Sequence, residues 1–385
     1  MLISINRERL FKALDATVKL AKANKLLLPN IVVMQVIPGQ NYVTWHANDG
    51  MTFASIQTPG QFQGEVSPML LGIQGSLIKD IVENCDKKIE VSLDVDPGSG
   101  RIKVLQGSFE TDLSCIGLTS LFAPSFGEEI WNFLVHAPYL ADAFEKVKFA
   151  CGPKECADKR LCAIHAFSKE NEVIFEATNG KVLSHTTLEL VEPPETEFTV
   201  AIPPAFLEYS AGVLATGEVE VSASNSMVMI SAGEGLYQIM SRIMPVNRIA
   251  SEKLMMTSDT AVSFEIDSET LAHELSKITS LIQNKSYLVV NCKLSKDKIF
   301  RLSCGSDLNT AHSVITQGII ELSRDIEFNI SAQLFCDSLA TMCGALHFTV
   351  DPDTNKCVIR QFFANPTDGS KIILETNIRM IGLSY

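Results

Sequence analysis

Long apolar runs and aromatic side chains are both scarce in this sequence. Only 7% of its 385 residues are aromatic, while 46% are hydrophobic and 20% are charged, which is the composition of a folded globular protein. The longest apolar runs, such as residues 201–207, are much shorter than the ~20 residues that a transmembrane helix needs. The first residues also lack the basic head and long apolar stretch of a secretory signal peptide. We therefore expect a cytoplasmic protein.

Cysteine and histidine are not arranged in the patterns that metal or redox sites require. The ten cysteines are scattered, and none forms a CxxC pair. In a reducing compartment such cysteines are expected to act as small, mostly buried hydrophobic residues. The seven histidines are dispersed as well, so each is interpreted as a structural or surface residue. We expect no metal and no cofactor.

Motifs of the common enzyme classes are also missing: there is no Walker A sequence, zinc-protease helix or nucleophile elbow. Asp351, Asp353 and Asn355 have the spacing that opens a calcium loop, but Lys356 stands where the loop needs glycine, so a hairpin turn is favoured. Residues 233–235 are only a fragment of a nucleotide-binding glycine pattern and precede a predicted strand. The prediction is a protein that is not an enzyme. An enzyme whose site is assembled from distant segments stays an alternative.

What the sequence does contain is a pattern that recurs three times, at a spacing of roughly 130 residues. Each copy has an amphipathic helix, a strand-rich stretch and a second short helix. The first helices are predicted to begin at Arg9, Tyr139 and Thr270, and the second helices at Ser76, Ala205 and Gln333. β-Branched runs bounded by turn residues, such as residues 31–36, predict mainly antiparallel strands. The predicted class is α+β, with two helices packed on antiparallel sheet in each of three domains: 1–127, 128–254 and 255–385.

The net charge of −13 argues against a protein that coats nucleic acid with its whole surface. A local basic face is nevertheless predicted, because several cations fall outside the apolar stripe of the first two long helices. These cations are Arg9, Lys12, Lys19 and Lys22 in the first copy, and Lys146 and Lys148 in the second. An ordinary solvated helix surface is the alternative interpretation.

These features together resemble the bacterial DNA polymerase III beta subunit, the sliding clamp, over essentially the whole chain. The resemblance is carried by the three-unit layout, the helix starts, Leu28-Pro29, residues 177–183 (Ala-Thr-Asn-Gly-Lys-Val-Leu) and the apolar C-terminal end. Many members of that family read Thr-Asp-Gly-His-Arg-Leu where this chain reads Thr-Asn-Gly-Lys-Val-Leu at 178–183, and Pro204-Ala205 stand where a basic pair is common. The chain is therefore interpreted as a divergent member, of the kind that a phage or another mobile element could carry.

The resemblance implies a head-to-tail homodimer whose six modules close into a ring, with helices inside and sheets outside. Such a ring encircles double-stranded DNA without reading its sequence and tethers the replicative polymerase, the clamp loader and other proteins that carry short clamp-binding peptides. It would act as a processivity factor in the cytoplasm, on the nucleoid, with no catalytic residue. The alternative is a peptide-binding scaffold of clamp fold that does not encircle DNA.

The resemblance also assigns residues to three sites. Lys25 joins the six cations above as a DNA-facing residue. The partner-peptide pocket is assigned to Leu161, Thr178, Gly180, Val182, Leu183, Pro245, Arg248, Ile249, Met380, Ile381 and Leu383. The dimer interface is assigned to Ile81 and Leu113 of one chain against Leu281 and Ile282 of the other. Core packing is the competing interpretation of Leu161, Val182 and Ile249, of the interface residues, and of residues 378–381 as simply the last strand.

Overall fold

A computed structural model describes most of the chain. The described residues are 1–24, 30–96, 98–121, 123–190, 194, 196–210, 217–233, 235–280, 288–305, 310–316, 319, 324–361, 363–364, 371–372 and 377–384. Five of the residues discussed above, Lys25, Leu28, Pro29, Leu281 and Ile282, lie outside this part.

Six of the described α-helices correspond to the six that the sequence predicts, and a short seventh, α5, was not predicted. The helices are α1 (Arg7–Ala23), α2 (Gly75–Asn84), α3 (Ala137–Lys148), α4 (Pro204–Ser210), α5 (Ser251–Met255), α6 (Ser268–Thr279) and α7 (Ala332–Leu339), with a 3₁₀ turn at Lys159–Cys162. The first thirteen strands are β1 (Leu2–Ile5), β2 (Ile31–Val36), β3 (Tyr42–Asn48), β4 (Thr52–Gln63), β5 (Met69–Gln74), β6 (Val91–Asp96), β7 (Arg101–Gln106), β8 (Phe109–Gly117), β9 (Trp131–His136), β10 (Ile164–Lys169), β11 (Glu172–Thr178), β12 (Val182–Glu189) and β13 (Thr199–Ile202). The others are β14 (Glu218–Ala223), β15 (Met227–Ala232), β16 (Tyr237–Arg242), β17 (Val262–Asp267), β18 (Val289–Ser295), β19 (Ile299–Gly305), β20 (Thr310–Ile315), β21 (Ile326–Ser331), β22 (Ala345–Asp351), β23 (Lys356–Gln361), β24 (Phe363–Ala364), β25 (Lys371–Ile372) and β26 (Asn377–Ser384).

The chain forms two compact units. Unit 1 comprises Met1–Ala141, Leu190–Thr196 and Ile202–Met244, and unit 2 comprises Asp142–Glu189, Glu197–Ala201 and Pro245–Tyr385. Unit 1 is built on a twelve-stranded sheet in the order β1-β6-β7-β8-β5-β2-β3-β4-β16-β15-β14-β9. A second twelve-stranded sheet contains the path β13-β10-β11-β12-β26-β21-β18-β19-β20, with β17, β22 and β23 joined to β26. This antiparallel α+β architecture confirms the predicted fold class, while the division into three domains at 127 and 254 stays a prediction.

The long helices begin two residues before their predicted starts, because polar caps precede the apolar stripe. Asn6 caps α1 by accepting hydrogen bonds from the backbone N–H groups of Glu8 and Arg9, both at 3.1 Å. Asp267 caps α6 in the same way, accepting from the N–H of Thr270 at 2.9 Å. A cap side chain satisfies N–H groups that the first helical turn leaves unpaired. In α1 the residues behind the cap, such as Leu10, are fully buried against the sheet.

The turn after β22 is a hairpin and not a calcium loop, as the sequence indicates. The carboxylate of Asp351 accepts backbone hydrogen bonds from Ser258 at 2.7 Å, Asp353 at 3.1 Å and Thr354 at 3.2 Å. Burial acts to raise the pKa of Asp351, but these hydrogen bonds outweigh it and hold the pKa well below its usual value. The oxygens that a cation would need are therefore committed to fixing the turn.

None of the described helices combines the length and the apolar character that crossing a bilayer demands.

Candidate partner groove and nucleic-acid face

The predicted partner pocket falls on one region of unit 2, where β11, β12 and β26 lie side by side. Thr178 stands opposite Leu183, and Leu183 stands opposite Met380. Side chains directly opposite each other in antiparallel strands share a face of the sheet. The structure therefore brings these three residues together in a row, which we call seam 2.

A tight turn at 179–180 shapes one end of seam 2. The side-chain oxygen of Asn179 accepts from the N–H groups of Lys181 at 2.9 Å and Val182 at 3.1 Å. Gly180 has φ +86°, a conformation that L-residues avoid. A Cβ on Gly180 would stand 3.9 Å from Leu161. Leu161, which is half-buried, therefore lies beside the turn, as the resemblance implies.

Two of the predicted pocket residues lie in the core instead. Val182 and Ile381 stand opposite each other, and both side chains are fully buried. Successive side chains in a strand point to opposite faces, so this pair lies on the other face from Leu183 and Met380. For these two residues the core interpretation is correct, because one step along each strand reverses the face.

A charged cluster holds Arg248 on the same side of the sheet as seam 2. The Nε of Arg248 donates to Glu176 at 3.1 Å, and its guanidinium lies 3.6 Å from the centre of the Phe167 ring. Glu176 precedes Thr178 by two residues and so shares its face. It also forms a hydrogen bond with His185 Nδ1 at 2.8 Å and accepts one from the Ser251 hydroxyl.

Two opposing effects, burial and hydrogen bonding, act on the pKa of Glu176 in this cluster. Burial acts to raise that pKa, but hydrogen bonds from His185, Ser251 and Arg248 outweigh burial and lower it. For Arg248, burial acts to lower the pKa, and the carboxylates of Glu176 and Glu252 raise it above its usual value. Both groups are therefore charged near neutral pH, and their pairing fixes residues 248–252 on the sheet.

The sequence interpretation missed Glu176, His185 and Phe167. A signal was present, since Glu176 is a carboxylate within a β-branched run that was predicted as strand. A carboxylate in a buried strand needs a partner, and Arg248 is that partner. Of the remaining predicted pocket residues, Pro245 is exposed, while Ile249 and Leu383 are half-buried.

The predicted DNA-facing cations of α1 are exposed, but half of them are paired. Lys12 forms an ion pair with Glu8 at 3.2 Å, and Lys19 forms one with Asp15 at 2.8 Å. Arg9 and Lys22 have no ion pair within the described residues. Exposed pairs of this kind contribute little to stability.

The two predicted cations of α3 are less accessible than those of α1. Lys146 pairs with Asp142 and Lys148 with Glu145, each at 2.5 Å, and both lysines are half-buried. Arg9 and Lys22 are therefore the clearest candidates of the set for contact with phosphate.

The predicted dimer-interface residues of unit 1 differ in exposure. Ile81 lines a cavity of about 410 Å³ next to α2, together with Phe109 on β8. Phe109 is 46% exposed and was not predicted. Leu113, which was predicted, is buried in the core. Its side chain is therefore not available to a second chain, whereas Ile81 and Phe109 are.

No protein-family model and no curated protein sequence matches this chain. Solved structures do resemble it over its full length. DNA polymerase III subunit beta from Pseudomonas aeruginosa has a TM-score of 0.84 at 14% identity, with 100% of both chains covered. The DNA polymerase sliding clamp from Bacillus subtilis has a TM-score of 0.85 at 16% identity, covering 100% of this chain and 99% of that one. A P. aeruginosa sliding clamp bound to griselimycin has a TM-score of 0.82 at 14% identity, with the same coverage. The chain therefore has the fold of the bacterial DNA polymerase III beta subunit, the sliding clamp.

Proposed function

We propose that this protein is a sliding clamp: a head-to-tail homodimer that closes around double-stranded DNA and tethers a polymerase and other replication proteins. The observation that carries the proposal is the likeness to sliding clamps along the entire length of both chains, at TM-scores of 0.84 and 0.85. A ring is retained by topology, so weak contacts to phosphates suffice and permit sliding. We expect it to act in the cytoplasm, on the nucleoid.

Ring topology gives the decisive test. The protein should remain on nicked circular DNA during gel filtration and should be lost once a restriction enzyme linearises that DNA. Equal retention on both forms, or none on either, would exclude encirclement.

The alternative is a scaffold of clamp fold that binds partner peptides without encircling DNA. It is favoured by the ion pairs of the proposed DNA face, since Lys12, Lys19, Lys146 and Lys148 already have carboxylate partners. The scaffold would bind clamp-binding peptides yet show no difference between circular and linear DNA.

The DNA face can be tested with the two α1 cations that have no ion pair among the described residues. Replacing Arg9 and Lys22 together by alanine should weaken DNA binding equally for all sequences. The slope of log K against log salt should fall by about one for each phosphate that the variant no longer neutralises. Lys293→Ala is the matched control, because Lys293 is an exposed lysine on strand β18. An unchanged slope in the double variant would remove α1 from the DNA face.

The partner groove should be tested with a substitution that disturbs the fold less than removal of the C-terminus would. Deleting residues 381–385 would take away Ile381, which is fully buried, and would damage the fold. Met380→Lys instead places a charge in seam 2 while leaving the core intact. It should abolish binding of a peptide rich in Gln, Leu and Phe, and lower polymerase processivity. Met256→Lys is the control, since Met256 is 69% exposed elsewhere in unit 2. Full binding by Met380→Lys would place the partner site elsewhere.

Strand β8 supports dimerisation of this chain. It pairs with β7 at residues 109–114 and with β5 only at residues 115–117. Its remaining edge has no partner among the described strands, and neither has the outer edge of β20. Open edges favour pairing with another chain. Ile81→Asp with Phe109→Asp should give folded monomers in sedimentation, whereas the exposed Leu134→Asp should leave the dimer intact. A double variant that still sediments as a dimer would place the interface elsewhere.

A further inference from the structure

Unit 1 contains a second copy of the backbone that forms seam 2. Its turn lies at residues 49–50. The side-chain oxygen of Asp49 accepts from the N–H groups of Met51 at 2.9 Å and Thr52 at 2.7 Å. Gly50 has φ +92°. The turn of unit 2 uses Asn179 and Gly180 in the same two roles.

The strands that follow the two turns also match in register. Phe53 stands opposite Asn48 and Met240, just as Leu183 stands opposite Thr178 and Met380. We call this row of three residues seam 1. The neighbouring backbone contacts agree as well: Arg242 donates to the Met51 carbonyl at 3.1 Å, and Gly382 donates to the Lys181 carbonyl at 2.8 Å.

Seam 1 differs from seam 2 in the side chains that pack on it. Phe53 and Met240 form a buried cluster with Met227, and Leu121 and Phe126 pack against that cluster. Two apolar side chains that lie close together in the sequence, Leu121 and Phe126, thus pack onto the seam. At the equivalent place in unit 2, Leu183 is buried, Met380 is half-buried, and the segment that follows β16 carries Arg248.

The space left at seam 1 is very small. A cavity of about 10 Å³ remains, and its lining includes Met51, Phe53, Pro124 and Arg242. One water molecule needs roughly that volume. Seam 1 is therefore filled, and the side chains that fill it come from the chain itself.

We propose that seam 1 is a second docking site for linear peptides with bulky apolar anchors, and that Leu121 and Phe126 of the same chain occupy it as a built-in ligand. Leu121 and Phe126 take the place of the two anchors. Methionine side chains adapt to differently shaped apolar partners, and Met227 and Met240 supply them here. The inference rests on the proposed function for the class of ligand only.

Tethering explains why seam 1 is closed in the intact chain. A segment joined to its site by a short linker has an effective concentration on the order of millimolar. A free peptide of micromolar abundance cannot displace it unless its intrinsic affinity is far higher. Each chain then has one docking site at seam 2, where Met380 is half-buried, and a second, seam 1, that is accessible only when Leu121 and Phe126 leave it.

Methionine methyl NMR on the full-length protein can observe both seams separately. The probe is a synthetic peptide of residues 119–127, Thr-Ser-Leu-Phe-Ala-Pro-Ser-Phe-Gly. In the parent protein it should shift the methyl signal of Met380 only. In the Leu121→Ala/Phe126→Ala variant it should shift Met240 as well, at peptide concentrations at least tenfold below any that shift Met240 in the parent. Ile130→Ala is the matched control, because Ile130 is a 46% exposed apolar residue at the far end of the same connection.

The outcomes separate this inference from the proposed function. If the peptide does not shift the Met240 signal in the double variant, the inference of a second docking site is overturned. If the peptide does not shift the Met380 signal in any of the proteins, that result counts against the partner groove of unit 2. It does not affect the inference about seam 1. If the double variant does not fold, Phe126→Ala alone removes one anchor and should give the Met240 shift at higher peptide concentration. Absence of that shift in a folded single variant overturns the inference too.

Discussion

Seam 1 and seam 2 have the same backbone, but different side chains surround them. In seam 1 an apolar segment packs on Phe53 and Met240, so the site is filled by hydrophobic contact. Beside seam 2, the segment that follows β16 is fixed to the sheet by the ion pair between Arg248 and Glu176. Met380 stays half-buried. Strand register therefore decides where a docking site can form. The side chains of the connecting segment decide whether it is open.

One pair of equivalent residues illustrates the difference. His46 and Glu176 each lie two residues before the seam, on the same face as it. Glu176 is ionised and paired with Arg248. His46 is stacked on Phe53, with ring centres 5.5 Å apart, and its Nε2 lies 2.7 Å from the side-chain oxygen of Gln35. A neutral ring suits the buried surroundings of seam 1, whereas the ionised carboxylate beside seam 2 is stabilised by its partner Arg248.

The largest expected effect is on seam 1. Phe53→Ala should lower the free energy of unfolding by about 3–5 kcal/mol, because it opens a cavity in a buried cluster. Phe109→Ala, at an exposed phenylalanine, is the control and should cost far less. Urea denaturation measures both. A small loss of stability for Phe53→Ala would mean that the apolar packing on seam 1 contributes little to the free energy of unfolding.

The corresponding change in unit 2 removes a charge beside seam 2. Glu176→Ala leaves Arg248 and His185 without their carboxylate, and should cost about 3 kcal/mol. Glu252→Ala removes only the exposed partner of the same arginine, so it should cost well under 1 kcal/mol. Hydrogen exchange would localise the loss to β11 and β12. Equal effects of the two substitutions would contradict the assigned role of Glu176.

The two seams should also respond differently to acid. Burial lowers the pKa of His46 from 6.5 to about 4, so between these values the unfolded chain binds a proton that the folded one does not. The resulting loss of stability begins as pH falls below about 6.5 and reaches at most about 3 kcal/mol near pH 4.

The lowered pKa of Glu176 acts in a different window. Its contribution is present above the unfolded value of 4.5 and is lost as pH falls below it. His46→Gln should therefore reduce the pH dependence of the urea midpoint between 6.5 and 4.5. Glu176→Gln should not reduce it, because burial also lowers the pKa of His165 and the charge of Glu176 opposes that shift. The same slope in His46→Gln and the parent would contradict the assignment.

The smallest effects should be equal at the two seams. Gly50→Ala and Gly180→Ala each place a side chain at positive φ, which costs about 1–2 kcal/mol. Because the two turns share one geometry, the two costs should agree within about 0.5 kcal/mol. Thermal unfolding of both variants measures this, and a clear inequality would mean that the turns are not equivalent.

The elements themselves were predictable from local patterns. Residues 31–36 were predicted as a strand and form β2, and the turn at 352–355 follows from its own polar residues. Helix starts were missed by two residues, because caps such as Asn6 are polar and lie outside the apolar periodicity. Three-residue rows such as Thr178, Leu183 and Met380 could be assigned only through the family resemblance, since they join strands that are distant in the chain.

The sequence by itself determined the recurring helix and strand pattern, the acidic charge and the cations of α1, because each follows from neighbouring residues. The tertiary structure alone decided which side chains face the same way. Val182 and Leu183 are adjacent in the sequence, yet one lies in the core and the other lines seam 2, because strand pairing fixes the face. It also paired Glu176 with Arg248 and laid Leu121 and Phe126 on seam 1, since contacts between distant segments depend on register and packing.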